Sequence, residues 1–131
     1  MLIDHSILND LIVQAKENPR LRQGMDLRNC PEDKSQRMLN ALEPGTVMPI
    51  HRHKDSSETC VCIRGHFEEY FYDESGNLTD IIDMVPGGVV LNIEKGQWHS
   101  LKCLESGTVL FEAKDGPYEP LQDCDILSVQ P

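Results

Sequence analysis

The chain has 131 residues, with 12 Lys+Arg against 22 Asp+Glu and a formal net charge of −10. That length suits one hydrophobic core, and 39% hydrophobic with 26% charged residues excludes a disordered chain. The acidic balance speaks against a nucleic-acid binder and against a polybasic membrane-surface protein, and no window approaches the roughly 18 apolar residues of a membrane span. Met1-Leu2-Ile3-Asp4-His5 shows neither the basic start nor the apolar run of a secretory signal. The five cysteines, Cys30, Cys60, Cys62, Cys103 and Cys124, are an odd number, so reduced thiols in the cytoplasm are expected rather than a disulfide framework.

In chain order, the first segment reads as a helix over about residues 6–17, with Ser6 as N-cap. Ile7, Leu8, Leu11, Ile12 and Ala15 recur at helical spacing, and Asn18-Pro19 ends the run. After the polar connector 29–33, short apolar runs alternate with turn dipeptides. Residues 36–42, 46–53, 59–64, 66–72, 78–85, 89–93, 98–103 and 108–113 are the expected strands. Pro49 places part of the 46–53 segment at an edge or a bend. Asp73-Glu74-Ser75-Gly76-Asn77 reads as a hairpin loop. Many short strands at close spacing predict a sandwich or barrel over about residues 36–116, followed by a polar C-terminal tail, all within one domain spanning residues 1–131.

The informative stretch is Gly45 to Gly65. His51 and His53 are two apart, so on a strand both imidazoles project from one face. Glu58 follows a polar loop, where a hairpin would return it beside them, and His99 lies in a later β segment. Three neutral imidazoles and one carboxylate suit a divalent transition metal. A lone histidine on a half-buried strand is more often an ordinary polar residue; the paired spacing with a glutamate argues against that here.

These positions resemble the motifs of the cupin superfamily. The first motif is Gly, five residues, His-x-His, three or four residues, Glu, six residues, Gly, and Gly45, His51, His53, Glu58 and Gly65 match it throughout. In the second motif Gly88, Gly96 and His99 fit, while Glu94 stands in place of Pro and Cys103 in place of Asn. With the flanks Pro19–Arg22, Gln36–Leu39 and Phe111–Tyr118, the chain looks like the WbuC-type cupin fold metalloproteins, small bacterial proteins often encoded among surface-polysaccharide genes. The resemblance implies a mostly β fold, a single small jelly-roll-like cupin β-barrel with an N-terminal α-helix. It implies one divalent ion (Fe, Mn, Zn or Ni) held by His51, His53, Glu58 and His99. The resemblance does not imply a reaction; a metal site that can keep open positions, with that gene context, leads to the expectation of a metal-dependent enzyme, such as an isomerase, epimerase or oxygenase, acting on a sugar or sugar nucleotide in surface-polysaccharide metabolism. A non-catalytic, metal-organised binding or regulatory cupin is the alternative, and a homodimer is the expectation by analogy.

Alternation around Glu58 places Cys60, Cys62 and Arg64 on its face, and alternation around His99 does the same for Leu101 and Cys103. The thiols are then either small buried hydrophobes, the preferred reading, or sulfurs beside the metal. Arg64, Arg37, Glu112 and Tyr118 are the candidate substrate-binding residues, and Arg64 could instead pair with Glu112. Trp98 should point away from the site. His5 and His66 lack partners at ligand spacing.

Overall fold

The structure is a computed structural model and describes residues 1–127; residues 128–131 of the expected tail lie outside the described residues. It opens with α1 (His5–Glu17). The cap is Asp4 rather than the expected Ser6: its Oδ1 accepts from the backbone N–H groups of Ser6 and Ile7 at 3.1 and 3.2 Å. Asp4 lies outside the helical turn in extended backbone, the conformation from which a side chain reaches back to the free N–H groups.

Eight strands follow: β1 (Arg22–Asp26), β2 (Ser35–Leu42), β3 (Glu58–Arg64), β4 (Phe67–Tyr72), β5 (Leu78–Met84), β6 (Leu91–Ile93), β7 (Trp98–Cys103) and β8 (Thr108–Asp115). They form two antiparallel sheets, β1-β2-β8-β3-β6 and β5-β4-β7. β1 was not expected, since Arg-Gln-Gly-Met-Asp carries no alternation; it is an edge strand held by its register with β2. The 46–53 segment is not a strand. Pro49 has no N–H to give a ladder, and only His51 forms isolated bridges, with His99 and Ile126.

The larger sheet is covered on one side by α1, where Leu8, Leu11 and Ala15 pack on Leu39, Ala41 and Val109. Its other side faces the smaller sheet, and Leu42, Cys60, Cys62, Phe67, Met84, Cys103 and Leu110 fill one end of the space between them. Gly65 makes the tight β3–β4 connection possible. Its φ is +81°, and a Cβ there would lie 2.7 Å from the Thr108 backbone. A third cluster, Ile50, Tyr72 and Trp98, anchors the 46–53 segment. The tail is tied to that segment as well: Arg52 N–H donates to Asp125 O at 3.0 Å and Leu127 N–H to Ile50 O at 2.9 Å.

Candidate metal centre

The apolar end of the interior gives way to a cavity of about 920 Å³ at the other end. At its edge, His51 is fixed from both sides by backbone bonds. It exchanges N–H···O bonds of 3.0 and 2.9 Å with His99, so these two ligand-type residues are locked together by the main chain. The imidazoles of His51, His53 and His99 converge, with one ring nitrogen from each lying within 4.8 Å of the others. Ring centroids are 4.3 Å apart for His51 and His99, and 5.1 and 5.7 Å for the pairs with His53.

The tautomers are set by carbonyls. His51 Nδ1 lies 2.9 Å from Pro49 O, and His99 Nδ1 lies 2.8 Å from Gln97 O. A carbonyl only accepts, so both Nδ1 atoms carry a proton and the Nε2 atoms are the ones turned toward the centre. Such backing by a backbone acceptor is what orients a metal-binding imidazole. His53 Nε2 is buried without any partner.

Glu58 adjoins the triad through one member. Its Oε1 is 2.8 Å from His99 Nε2, and its Oε2 is 3.6 Å from Lys114 Nζ. With the Nδ1 proton committed to Gln97, a carboxylate oxygen 2.8 Å from Nε2 calls for a proton shared between the two, which a metal ion bound by both atoms would displace. Three carboxyls, Glu58, Glu69 and Glu112, share the cavity wall with Lys114. The donor set and the orphaned Nε2 fit a divalent ion.

Burial sets the protonation of the ring nitrogens. Desolvation, helped by the neighbouring His99 charge, pushes His51 down to about 3. Desolvation and the Lys114 charge push His53 down to about 4. Burial works against ionised Glu58, but the hydrogen bond and charge of His99, with Lys114 and His53, outweigh it and hold the carboxyl below its usual range. Neutral His51 and His53 beside an ionised carboxylate suit a metal, which takes its imidazoles deprotonated at the ligating nitrogen.

Glu112 and Tyr118 line the cavity, and Asn40 Nδ2 donates to Glu112 Oε1 at 3.3 Å. Arg64 and Arg37 do not line it. A register shift between Cys62 and Arg64 breaks the alternation that put Arg64 inside. Its Nη1 instead donates to Asn9 Oδ1 of α1 at 2.7 Å, and Nη2 meets His5 Nδ1. Its suggested pairing with Glu112 does not form; Lys114 faces Glu112 at 3.8 Å. Arg37 alternates with the inward Gln36 and Met38, so it faces outward and pairs with Asp33 at 2.7 Å. Cys60, Cys62 and Cys103 belong to the apolar core rather than the cavity wall. Trp98 is turned away from the triad, beneath the Arg52 guanidinium at 4.5 Å. His66 meets Asp83 on the surface.

Lys114 and Glu69 were missed from sequence. Lys114 lies just past the expected strand 108–113, whereas β8 runs on to Asp115 and its inward face reads Leu110, Glu112, Lys114. Glu69 follows Phe67 at a spacing of two, the signal that would have placed it inside.

Two facing antiparallel sheets with a histidine triad between them make a cupin-like fold. Solved structures support that fold. KdgF from Halomonas sp. is similar at a TM-score of 0.62 and 16% identity, over 77% of this chain and 84% of that one. Oxalate decarboxylase from Bacillus subtilis, in a study of its Mn(II) centers, is similar at a TM-score of 0.59 and 23% identity, over 80% of this chain. The match spans 27% of the oxalate decarboxylase chain. No curated protein sequence matches. The chain belongs to the family described as "Domain of unknown function (DUF6016)", which matches residues 3–84. Among the described residues no helix is long and apolar enough to cross a membrane.

Proposed function

We propose that this chain is a mononuclear metalloprotein of the WbuC type, in which His51, His53, His99 and Glu58 hold one divalent transition metal for chemistry on a sugar or sugar nucleotide in bacterial surface-polysaccharide metabolism. The observation that carries the reading is the convergence of the three imidazoles, two of them turned by backbone carbonyls, at the edge of a cavity large enough for a small molecule. A metal held there would polarise a carbonyl or hydroxyl of a bound molecule. The chain's own groups supply the rest: Lys114 keeps Glu58 and Glu112 close, and Glu112 and Tyr118 line the path to the centre.

Elemental analysis of the protein purified without chelator or a metal-affinity tag tests the centre. About one metal per chain is expected, and a value near zero in wild type would end the metal reading. His53→Ala combined with Glu58→Ala should abolish binding. Turnover of sugars, sugar phosphates and nucleotide sugars, compared across Fe-, Mn-, Ni- and Zn-loaded protein, then separates enzyme from binder. Ligand-dependent thermal shifts without turnover under every metal would favour the non-catalytic role.

A further inference from the structure

Three buried side-chain atoms in the cavity wall lack a hydrogen-bond partner: His53 Nε2, Glu58 Oε2 and Glu69 Oε2. The first two belong to the metal centre. Glu69 belongs to the opposite sheet, on β4, paired with Leu101 of β7. It is only 4% exposed, and no cation lies within ion-pair distance of it among the described residues. A buried carboxyl that neither packs as a hydrophobe nor finds a partner among the described residues is a group open to a partner from outside.

The rest of the cavity says what that partner is. Seven carboxyl side chains line it against the three cations Arg52, Lys54 and Lys114. Each cation is already engaged: Arg52 and Lys54 with Asp125, and Lys114 with Glu58 and Glu112. Apart from the metal itself, no cation of the lining among the described residues is without a carboxylate partner and so left to receive a phosphate or a second carboxylate. An ammonium group would meet Lys114 and the metal ion itself. What remains is an uncharged molecule rich in hydroxyls.

We propose that Glu69 is the ligand-anchoring residue of this cavity and that it holds a hydroxyl of an uncharged, polyhydroxylated small molecule lying between the two sheets. The inference rests on the reading of the cavity as a metal-dependent small-molecule site, and narrows its substrate class. Burial, reinforced by the charges of Glu58 and Glu112, keeps the Glu69 carboxyl well above the usual carboxylate range. As the neutral acid it offers one O–H donor and one carbonyl acceptor, which matches the donor and acceptor of a hydroxyl. Negatively charged sugar phosphates and sugar nucleotides are the disfavoured members of the wider class.

The test uses Zn(II)-loaded full-length protein and saturation-transfer NMR with D-glucose, D-mannose, D-galactose and D-glucitol, each hexose paired with its 6-phosphate. At least one uncharged compound should bind, and more tightly than the corresponding phosphate. Glu69→Met should weaken that binding by about tenfold or more, while Glu69→Gln, which keeps a donor and an acceptor, should stay within about threefold of wild type. Zinc content should be unchanged in both variants. If Glu69→Met does not fold, Glu69→Asp decides, because it keeps the acid but shortens its reach and should also lose about tenfold. Equal binding by the Met variant, tighter binding of the phosphates, or no binding of any uncharged compound to wild type would overturn the inference. Failure of the metal reading is distinguishable, since it appears as wild type that takes up no zinc; the same titrations on that metal-free protein then decide the role of Glu69.

Discussion

The two ends of the space between the sheets are built from the same strands and differ only in what those strands point inward. Along β3 the inward side chains run Cys62, Cys60, Glu58; along β8, Leu110, Glu112, Lys114; along β4, Phe67, Glu69. β2 runs Leu42, Asn40, Met38, Gln36, and β7 runs Cys103, Leu101, His99. All five begin apolar at one end and finish polar at the other, with Met38 the one apolar side chain among the polar ones of β2. One end is packed shut and supports the fold. The other carries every unpartnered buried side-chain atom of the cavity wall, each a cost of about 1–3 kcal/mol until something binds.

The largest expected effect separates the ends by truncating one side chain at each. Phe67 is fully buried in the apolar cluster, and Phe67→Ala should remove about 3–5 kcal/mol of stability in urea denaturation of the metal-free protein. His53→Ala at the polar end should remove the metal while changing metal-free stability by less than about 1 kcal/mol, because its Nε2 satisfies nothing in the protein. Similar losses in stability for both would erase the distinction.

The titration of the polar end is the next effect, and it has two opposite signs. His53 is depressed from 6.5 to about 4 in the folded protein. Between those values the unfolded chain binds a proton that the native state refuses. The contribution of His53 is therefore fully favourable above about 6.5 and is lost as pH falls toward 4, by at most about 1.4 kcal/mol per pH unit. Glu69 is raised from 4.5, so the native state keeps a proton that the unfolded chain releases, and stability is lost as pH rises above 4.5. In metal-free protein, wild type should lose stability relative to His53→Gln on acidification, and relative to Glu69→Gln on alkalinisation. Phe67→Ala should lower the whole curve without a change of slope. Parallel curves for all three variants would show that the polar end is not electrostatically distinct.

Much of this division was legible in the sequence, and the residues that were not share a cause. The His51, His53 and Glu58 spacing and the strand that carries His99 are local signals, and the structure brings the three histidines together. Alternation correctly put Cys60 and Cys62 on the face of Glu58. It failed at Arg64 because a bulge is a pairing event between β3 and β8, invisible to either strand alone. Glu69 and Lys114 carry ordinary surface residue types; the register of β8 with β3 sets Lys114 against Glu58, and for Glu69 the spacing of two from Phe67 was the one local signal. The edge strand β1 and the Asp4 cap were hidden for the converse reason, since neither interrupts a pattern that composition would reveal.

The smallest effect tests where the boundary between the ends lies, and the thiols mark it. Cys60 sits directly beyond Glu58 on β3 and opposite Glu112 on β8, yet it is 2% exposed and packs in the apolar cluster. Burial raises the Cys60 and Cys103 thiols and pushes Cys62 up to about 11, so none is a thiolate at neutral pH. Cys30 and Cys124 are exposed. Titration of native protein with a disulfide reagent should therefore label Cys30 and Cys124 quickly and leave Cys60, Cys62 and Cys103 protected until denaturant is added. The informative arm is the metal-free protein. If the apolar end stands independently of the ion, stripping the metal leaves Cys60 protected and only the cavity loosens. Labelling of Cys60 on metal removal alone would move the boundary one residue pair inward, and would make the ion part of what holds the two sheets together.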